Sequence, residues 1–308
     1  MNQYKEIKEI LCKYCGEENV ISDAPMKEHT HFRVGGPVDL LVTPSTKEQV
    51  GEVISVCKDR NVPYFILGNG SNILVKDGGI SGVVIKLEKI DNIEVNGDEV
   101  VADCGALLSK VSKAALDAKL TGLEFACGIP GSIGGAVFMN AGAYNGEMSD
   151  VIKEVSAIDS EGNVVNLTLE ELQLGYRTSL IMTAGYVVLS ATLKLEKVSD
   201  ENVNKIEDRM NDLTRRREER QPLEYASAGS TFKRPEGYFA GKLIQDSDLK
   251  GFSIGGAAVS EKHSGFVINK GNATAKDVLD VITHVQKTVK EKFGVDLHTE
   301  VRIIGKDK

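Results

Sequence analysis

Two glycine-rich segments constrain this chain more than anything else in it. They are Leu67-Gly68-Asn69-Gly70-Ser71-Asn72 and Gly128-Ile129-Pro130-Gly131-Ser132-Ile133-Gly134-Gly135. Glycine has no Cβ, so successive backbone N–H groups can converge into a concavity that receives phosphate oxygens. Two such concavities suit the two phosphates of one pyrophosphate. Read on spacing alone, the same segments are equally ordinary tight turns. Neither carries the Lys-Ser/Thr of a Walker A loop, and neither spells GxGxxG, so P-loop and Rossmann sites are not supported.

Around these segments the hydrophobic period switches between 3.6 and 2. Helical patterns are expected up to about residue 16, through Val50, Val53, Ile54 and Cys57, and through Leu108, Val111, Ala115 and Ala118. Thr46 and Gln49 spell a capping box for the second of these. Strands are expected at Thr30 to Thr43 (broken at Gly35-Gly36-Pro37), Tyr64–Leu67, Gly82–Leu87, Ile93–Val95, Val100–Asp103, Val155–Ile158, Val164–Leu167 and Tyr186–Leu195. Hairpin turns fall at Asn96-Gly97-Asp98 and Ser160–Asn163. The character changes near residue 200. A charged helix marked by Val203, Ile206, Met210 and Leu213 ends in Arg215-Arg216-Arg217. Later, Val278, Val281, Ile282, Val285 and Val289 form an apolar stripe, with Thr274 placed to cap that helix and Gly294 to end it. His284 lies off the stripe and reads as solvated. Glu300 to Ile304 reads as a final strand.

The chain has 308 residues, of which 41% are hydrophobic, enough for two or three lobes with real cores. Its formal charge of -8 argues against a broad nucleic-acid groove, which needs clustered cations. No apolar run approaches the roughly 18 residues of a membrane span, and the N-terminus lacks the pattern of a signal peptide. The cysteines are Cys12, Cys15, Cys57, Cys104 and Cys127. Their odd number and scatter suit reduced thiols in a cytoplasm, and the unpaired Cys12-x-x-Cys15 reads as structural. No metal site is expected.

In order along the chain stand Thr30-His31-Phe32-Arg33-Val34-Gly35-Gly36-Pro37, the two glycine segments, and Met139-Asn140-Ala141-Gly142-Ala143-Tyr144. Tyr176-Arg177-Thr178-Ser179, Ser227-Ala228-Gly229-Ser230-Thr231-Phe232-Lys233 and Glu300-Val301-Arg302-Ile303-Ile304-Gly305 follow. Together, over about Lys27 to Gly305, they resemble the UDP-N-acetylenolpyruvoylglucosamine reductase (MurB) family of peptidoglycan synthesis. The resemblance implies a mixed α/β, α+β chain. Its PCMH-type FAD-binding domain would have two lobes (residues 1–200, the first lobe about 1–90), followed by a smaller α+β substrate-binding domain (201–308). It implies noncovalent FAD, NADPH as reductant, and a cytoplasmic enzyme that turns UDP-N-acetylglucosamine enolpyruvate into UDP-N-acetylmuramate. FAD contacts carry over to Leu67, Gly68, Asn69, Gly70, Ser71 and Asn72; to Gly128, Ile129, Pro130, Gly131, Ser132, Gly134 and Gly135; and to Asn140, Ala141, Gly142 and Ala143. Ser230 carries over as proton donor, and Arg177 and Glu300 as the pair that polarises the enolpyruvyl carboxylate. Tyr176 and Lys233 carry over as substrate-binding.

The residue types fit that chemistry. Adding hydride to the β-carbon puts negative charge on an enolate-like carboxylate, which a fixed guanidinium stabilises. A serine can protonate the adjacent carbon when held within reach. Taken singly, the three have plainer readings: Ser230 as a helix N-cap, Arg177 as a surface ion pair and Glu300 as a strand-end carboxylate. Arg217 and Arg220 either clamp the substrate diphosphate or answer the negative end of their helix. The space between Arg177 and Ser230 leaves no room for the extra tyrosine loop of some members, so the chain resembles the shorter variety. Another FAD oxidoreductase of this fold, or a flavin-binding module without turnover, are the competing readings.

Overall fold

The computed structural model describes residues 2–308 and divides them into two compact units. The first comprises residues 2–21, Leu40–Asn69 and Gly82–Arg217; the second comprises Ser22–Asp39, Gly70–Ser81 and Glu218–Lys308. The expected single boundary near residue 200 therefore differs from this division in two ways. The C-terminal crossing falls at Arg217, and two short N-terminal segments belong with the C-terminal part.

In the first unit, α1 (Asn2–Cys15) buries Ile7, Leu11 and Cys15. Burial pushes the Cys15 thiol up to about 11, away from the thiolate form. Helix α2 (Lys47–Asp59) starts at the expected capping box, with Thr46 Oγ1 accepting from the Gln49 N–H and Gln49 Oε1 accepting from the Thr46 N–H, both at 3.3 Å. The strand Tyr64–Leu67 runs parallel to Ile80–Lys86, with Leu67 opposite Lys86, and so delivers the first glycine segment at a strand end.

A second sheet has five antiparallel strands in the order Val164–Thr168, Ile152–Ile158, Val187–Lys194, Glu99–Asp103 and Ile93–Asn96. Both expected hairpins are present: Asn96 pairs Glu99 and Ile158 pairs Val164. Helix α3 (Leu108–Asp117) buries Leu108, Val111 and Ala115. The glycine-rich stretch after Cys127 holds an element not expected there, α4 (Ile133–Met139), which packs on Val187–Lys194. Gly134 lets the start of α4 lie close against Cys104, because a Cβ there would stand 3.1 Å from the Cys104 carbonyl oxygen. A short α5 (Leu180–Ala184) follows Ser179, whose Oγ accepts from the Met182 N–H. Helix α6 (Val203–Arg220) buries Ile206 and Leu213 and runs one turn past the expected end.

In the second unit, α7 (Ala240–Asp246) and α8 (Ala275–Phe293) accompany a three-stranded sheet, Ser253–Ile254, Ala257–Val259 and Val267–Asn269. All five residues of the apolar stripe on α8 are buried, each worth about 1.5–3 kcal/mol of apolar transfer. Thr274 and Gly294 cap the helix as expected. A second cap arrives from 198 residues away: Asp77 accepts from the Ala275 and Lys276 N–H groups at 2.9 Å. His284 is half-buried and stacks on Phe252 at 4.0 Å between ring centroids, so its expected solvated position is corrected. The final strand is shorter than expected, Arg302–Ile304, and pairs in parallel with Ile73–Val75, a strand absent from the sequence reading.

Candidate active site

The first unit brings Leu67, Gly68 and Asn69 of the first glycine segment against the second segment. Asn69 Nδ2 donates to the Pro130 carbonyl at 2.7 Å, tying one loop to the other. Gly68 faces Ser132 so closely that a Cβ on Gly68 would stand 2.6 Å from Ser132 Oγ. The Leu108 N–H holds the Gly131 carbonyl at 3.0 Å, fixing the second loop. Ser132 itself is 2% exposed, and its hydroxyl has no hydrogen-bond partner. A buried hydroxyl left alone costs about 1–3 kcal/mol. Here it sits at the N-terminus of α4, in a cradle that leaves Gly68 no room for a side chain, which is the environment a phosphate oxygen requires. The loops therefore fit the pyrophosphate of a flavin dinucleotide.

Asn140 lies beyond α4 with φ 44° and is fully buried. Its side chain bonds internally: Nδ2 donates to the Gly175 carbonyl at 3.2 Å and Oδ1 accepts from the Ser149 N–H at 2.9 Å. Each of these atoms keeps one further hydrogen-bonding position, a second N–H on Nδ2 and a second lone pair on Oδ1. What they do is join the 140–143 segment to the loop that carries Tyr176 and Arg177. Arg177 has φ 56°, an uncommon conformation for a bulky residue. Its Nη1 donates to the Asn140 carbonyl at 3.3 Å and its Nη2 to the Gly142 carbonyl at 3.1 Å, while the Tyr176 ring lies 5.2 Å from the guanidinium. These contacts orient the plane of the cation. Arg217 lays its side chain over the second glycine loop, its Cδ being 3.1 Å from where a Gly128 Cβ would stand. Arg220, the last residue of α6, is exposed.

The second unit holds Gly70, Ser71 and Asn72 with Ser230, Lys233 and Glu300. Gly70 has φ 64°, and a Cβ there would meet the His29 carbonyl oxygen at 2.3 Å. His29 and His31 therefore serve this loop through their backbones, the His31 N–H donating to the Gly70 carbonyl at 3.0 Å. Ser230 is exposed in a loop, and no helix starts there, which removes the N-cap reading. Its neighbours are fixed. Gly229 has φ 75°, and Thr231 is 1% exposed. The Thr231 N–H donates to the Gly265 carbonyl at 2.9 Å, and its Oγ1 accepts from the Val267 N–H at 2.9 Å. The Thr231 carbonyl in turn accepts from the Glu300 N–H at 2.8 Å. Asn72 completes the hold on Glu300, its Nδ2 donating to the Glu300 carbonyl at 3.1 Å while its own carbonyl accepts from the Arg302 N–H at 3.0 Å. A buried threonine thus locks Ser230 and Glu300 into one register. Thr231 and this strut role of Asn72 are not visible in the sequence, since both depend on pairing between distant segments. Lys233 is half-buried, its N–H donating to the His298 carbonyl at 2.8 Å. Arg234 stacks over Phe239 at 4.0 Å.

A phosphate cradle at a strand end, followed by an antiparallel sheet and a separate α+β part, is the plan of an FAD-dependent oxidoreductase with a PCMH-type binding domain. A family model described as FAD binding domain matches residues 38–168, and one described as UDP-N-acetylenolpyruvoylglucosamine reductase, C-terminal domain, matches residues 221–304. The UDP-N-acetylenolpyruvoylglucosamine reductases of Clostridium perfringens (strain SM101 / Type A) and Clostridium botulinum (strain Alaska E43 / Type E3) are 68% and 59% identical to this chain over 307 residues, with 100% of each chain covered. The crystal structure of the same enzyme from Thermus caldophilus superimposes with a TM-score of 0.78 at 35% identity, covering 92% of this chain and 97% of that one. The chain belongs to the UDP-N-acetylenolpyruvoylglucosamine reductase family, and its reaction is the FAD-dependent reduction that serves peptidoglycan precursor synthesis.

Proposed function

We propose that the chain converts UDP-N-acetylglucosamine enolpyruvate to UDP-N-acetylmuramate with noncovalent FAD and NADPH, in the cytoplasm, and that Ser230, Glu300 and Arg177 carry the substrate half of the reaction. The observation that carries this reading is the single register of Ser230 and Glu300 about Thr231. When bound, the flavin would supply a hydride, two electrons with one proton, to the β-carbon of the enolpyruvyl double bond. Arg177 stabilises the charge that then develops on the carboxylate, and its bonds to two carbonyls keep it from having to reorganise. Ser230 gives its Oγ proton to the α-carbon and recovers one from solvent. Glu300 hydrogen-bonds the enolate-like form more strongly than the ground state. Tyr176 and Lys233 bind the substrate. The absence of any helix, among the described residues, long and apolar enough to cross a membrane is compatible with the proposed location. The test is product analysis. Enzyme, NADPH and the enolpyruvyl nucleotide should yield the lactyl ether, and recovery of unchanged substrate would defeat the reading.

Ser132→Ala should move two quantities in opposite directions. Removing an unpaired buried hydroxyl should stabilise the flavin-free protein by about 1 kcal/mol. Affinity for FAD should fall several-fold, because the cradle loses a phosphate donor. Calorimetry of apoprotein and FAD titration read the two separately. A loss of apoprotein stability with unchanged FAD affinity would make Ser132 purely structural.

Arg217 and Arg220 are assigned to the UDP diphosphate. Arg217→Ala should raise KM for the nucleotide substrate with a smaller change in kcat, the sign of lost uniform binding. Lysine should restore little of it, since a bidentate fork does not survive the exchange. An unaltered KM in steady-state assays would leave Arg217 as cover for Gly128 alone.

A further inference from the structure

His263 has no part in the scheme above, yet the turn that it organises ends on Thr231. Residues 260–266 fold back tightly: the Ser260 N–H donates to the Phe266 carbonyl at 2.9 Å, the Phe266 N–H donates to the His263 carbonyl at 3.0 Å, and the His263 N–H donates to Ser260 Oγ at 3.2 Å. Within that turn the Gly265 N–H donates to His263 Nδ1 at 3.1 Å. A backbone N–H can only donate, so Nδ1 must carry its lone pair and the ring proton sits on Nε2. Burial pushes the imidazole pKa down, which keeps the ring in this neutral, accepting form. The ring is fixed edge-on against Phe266 at 4.8 Å and lies over Gly265, where a Cβ would stand 3.0 Å from its Cε1.

From there the bonds run directly to the reacting residues. The Gly265 carbonyl accepts from the Thr231 N–H, two residues further on the Val267 N–H reaches Thr231 Oγ1, and Thr231 holds Glu300 and directly follows Ser230. We propose that His263 is a positioning residue for the reductive step: its Nδ1 sets the 263–265 turn, which sets Thr231 and through it the placement of Ser230 and Glu300. Gly265 is buried, so without that acceptor its N–H is stranded and the turn must shift to satisfy it. A shift of a fraction of an ångström at a proton donor is enough to slow proton transfer.

The inference rests on the proposed roles of Ser230 and Glu300, and the test separates the two. Asparagine places its Oδ1 near the position of Nδ1 and accepts from the same i+2 N–H, as in an Asx-turn. Glutamine reaches the position of Nε2 instead, and leucine supplies bulk without an acceptor. The holoenzyme is first reduced by NADPH, and reoxidation of its flavin by the enolpyruvyl substrate is followed in a stopped-flow instrument. His263→Leu and His263→Gln should slow reoxidation by about 10-fold or more, and His263→Asn should restore it to within a few-fold of wild type. Flavin reduction by NADPH should be unchanged in all three. Rescue by Gln rather than Asn would show that the ring acts through Nε2 and overturn the proposal. So would a wild-type rate in His263→Leu, or an equal fall of both half-reactions. A wild-type enzyme whose flavin the substrate cannot reoxidise would instead overturn the functional reading beneath it.

Discussion

Ser230→Ala is expected to slow reduction of the enolpyruvyl substrate by about 10²-fold or more, the lower range for loss of a positioned general acid. Flavin reduction by NADPH should stay near the wild-type rate, because that half-reaction puts no proton on carbon. The structure supports a clean separation. Ser230 is exposed, so the variant loses no packing, and the loop around it is held by Thr231 and Gly229 rather than by the serine hydroxyl. Rapid-mixing measurements of each half-reaction decide the matter. A joint fall of both would make Ser230 a structural residue.

Arg177→Met should cost about 10²–10³-fold in the same half-reaction, as when a preorganised donor is removed from a developing oxyanion. The variant keeps an unbranched apolar stem and loses both the charge and the bonds to the Asn140 and Gly142 carbonyls. Those carbonyls belong to a hairpin independently held by Asn140 and by pairing of Ala143 with Gly146, so the fold should survive. The ratio of kcat to KM with the enolpyruvyl nucleotide, compared with flavin content and melting temperature, separates chemistry from folding. Loss of flavin in step with activity would assign Arg177 to cofactor retention instead.

Local patterns foretold the elements that are long, regular and capped. The stripe on α8 and the Thr46–Gln49 box specify helices from a few adjacent residues, and the Asn96–Asp98 turn allows little besides a hairpin. Helix α4 escaped because Gly134 and Gly135, poor helix formers, sit in its first turn. The reason for those glycines is tertiary, the approach of α4 to Cys104, and no local window contains it. The strand Ile73–Val75 is three residues long and exists through pairing with Arg302–Ile304. The discontinuous second unit was invisible for the same reason, as was the Asp77 cap on α8. At the site, motif resemblance supplied Ser230, Glu300 and Arg177. The residues that hold Ser230 and Glu300, Thr231 and Asn72, act through bonds to distant segments, so their types alone carry little signal.

The central claim is that one bound flavin takes electrons from NADPH and passes them to the enolpyruvyl nucleotide. Flavin absorbance, followed anaerobically in the purified protein, tests it most directly. The account predicts bleaching on addition of one equivalent of NADPH, then recovery of the oxidised spectrum on addition of the enolpyruvyl substrate, with acid afterwards releasing all the flavin from the protein. A flavin that bleaches and stays bleached in the presence of that substrate would contradict it.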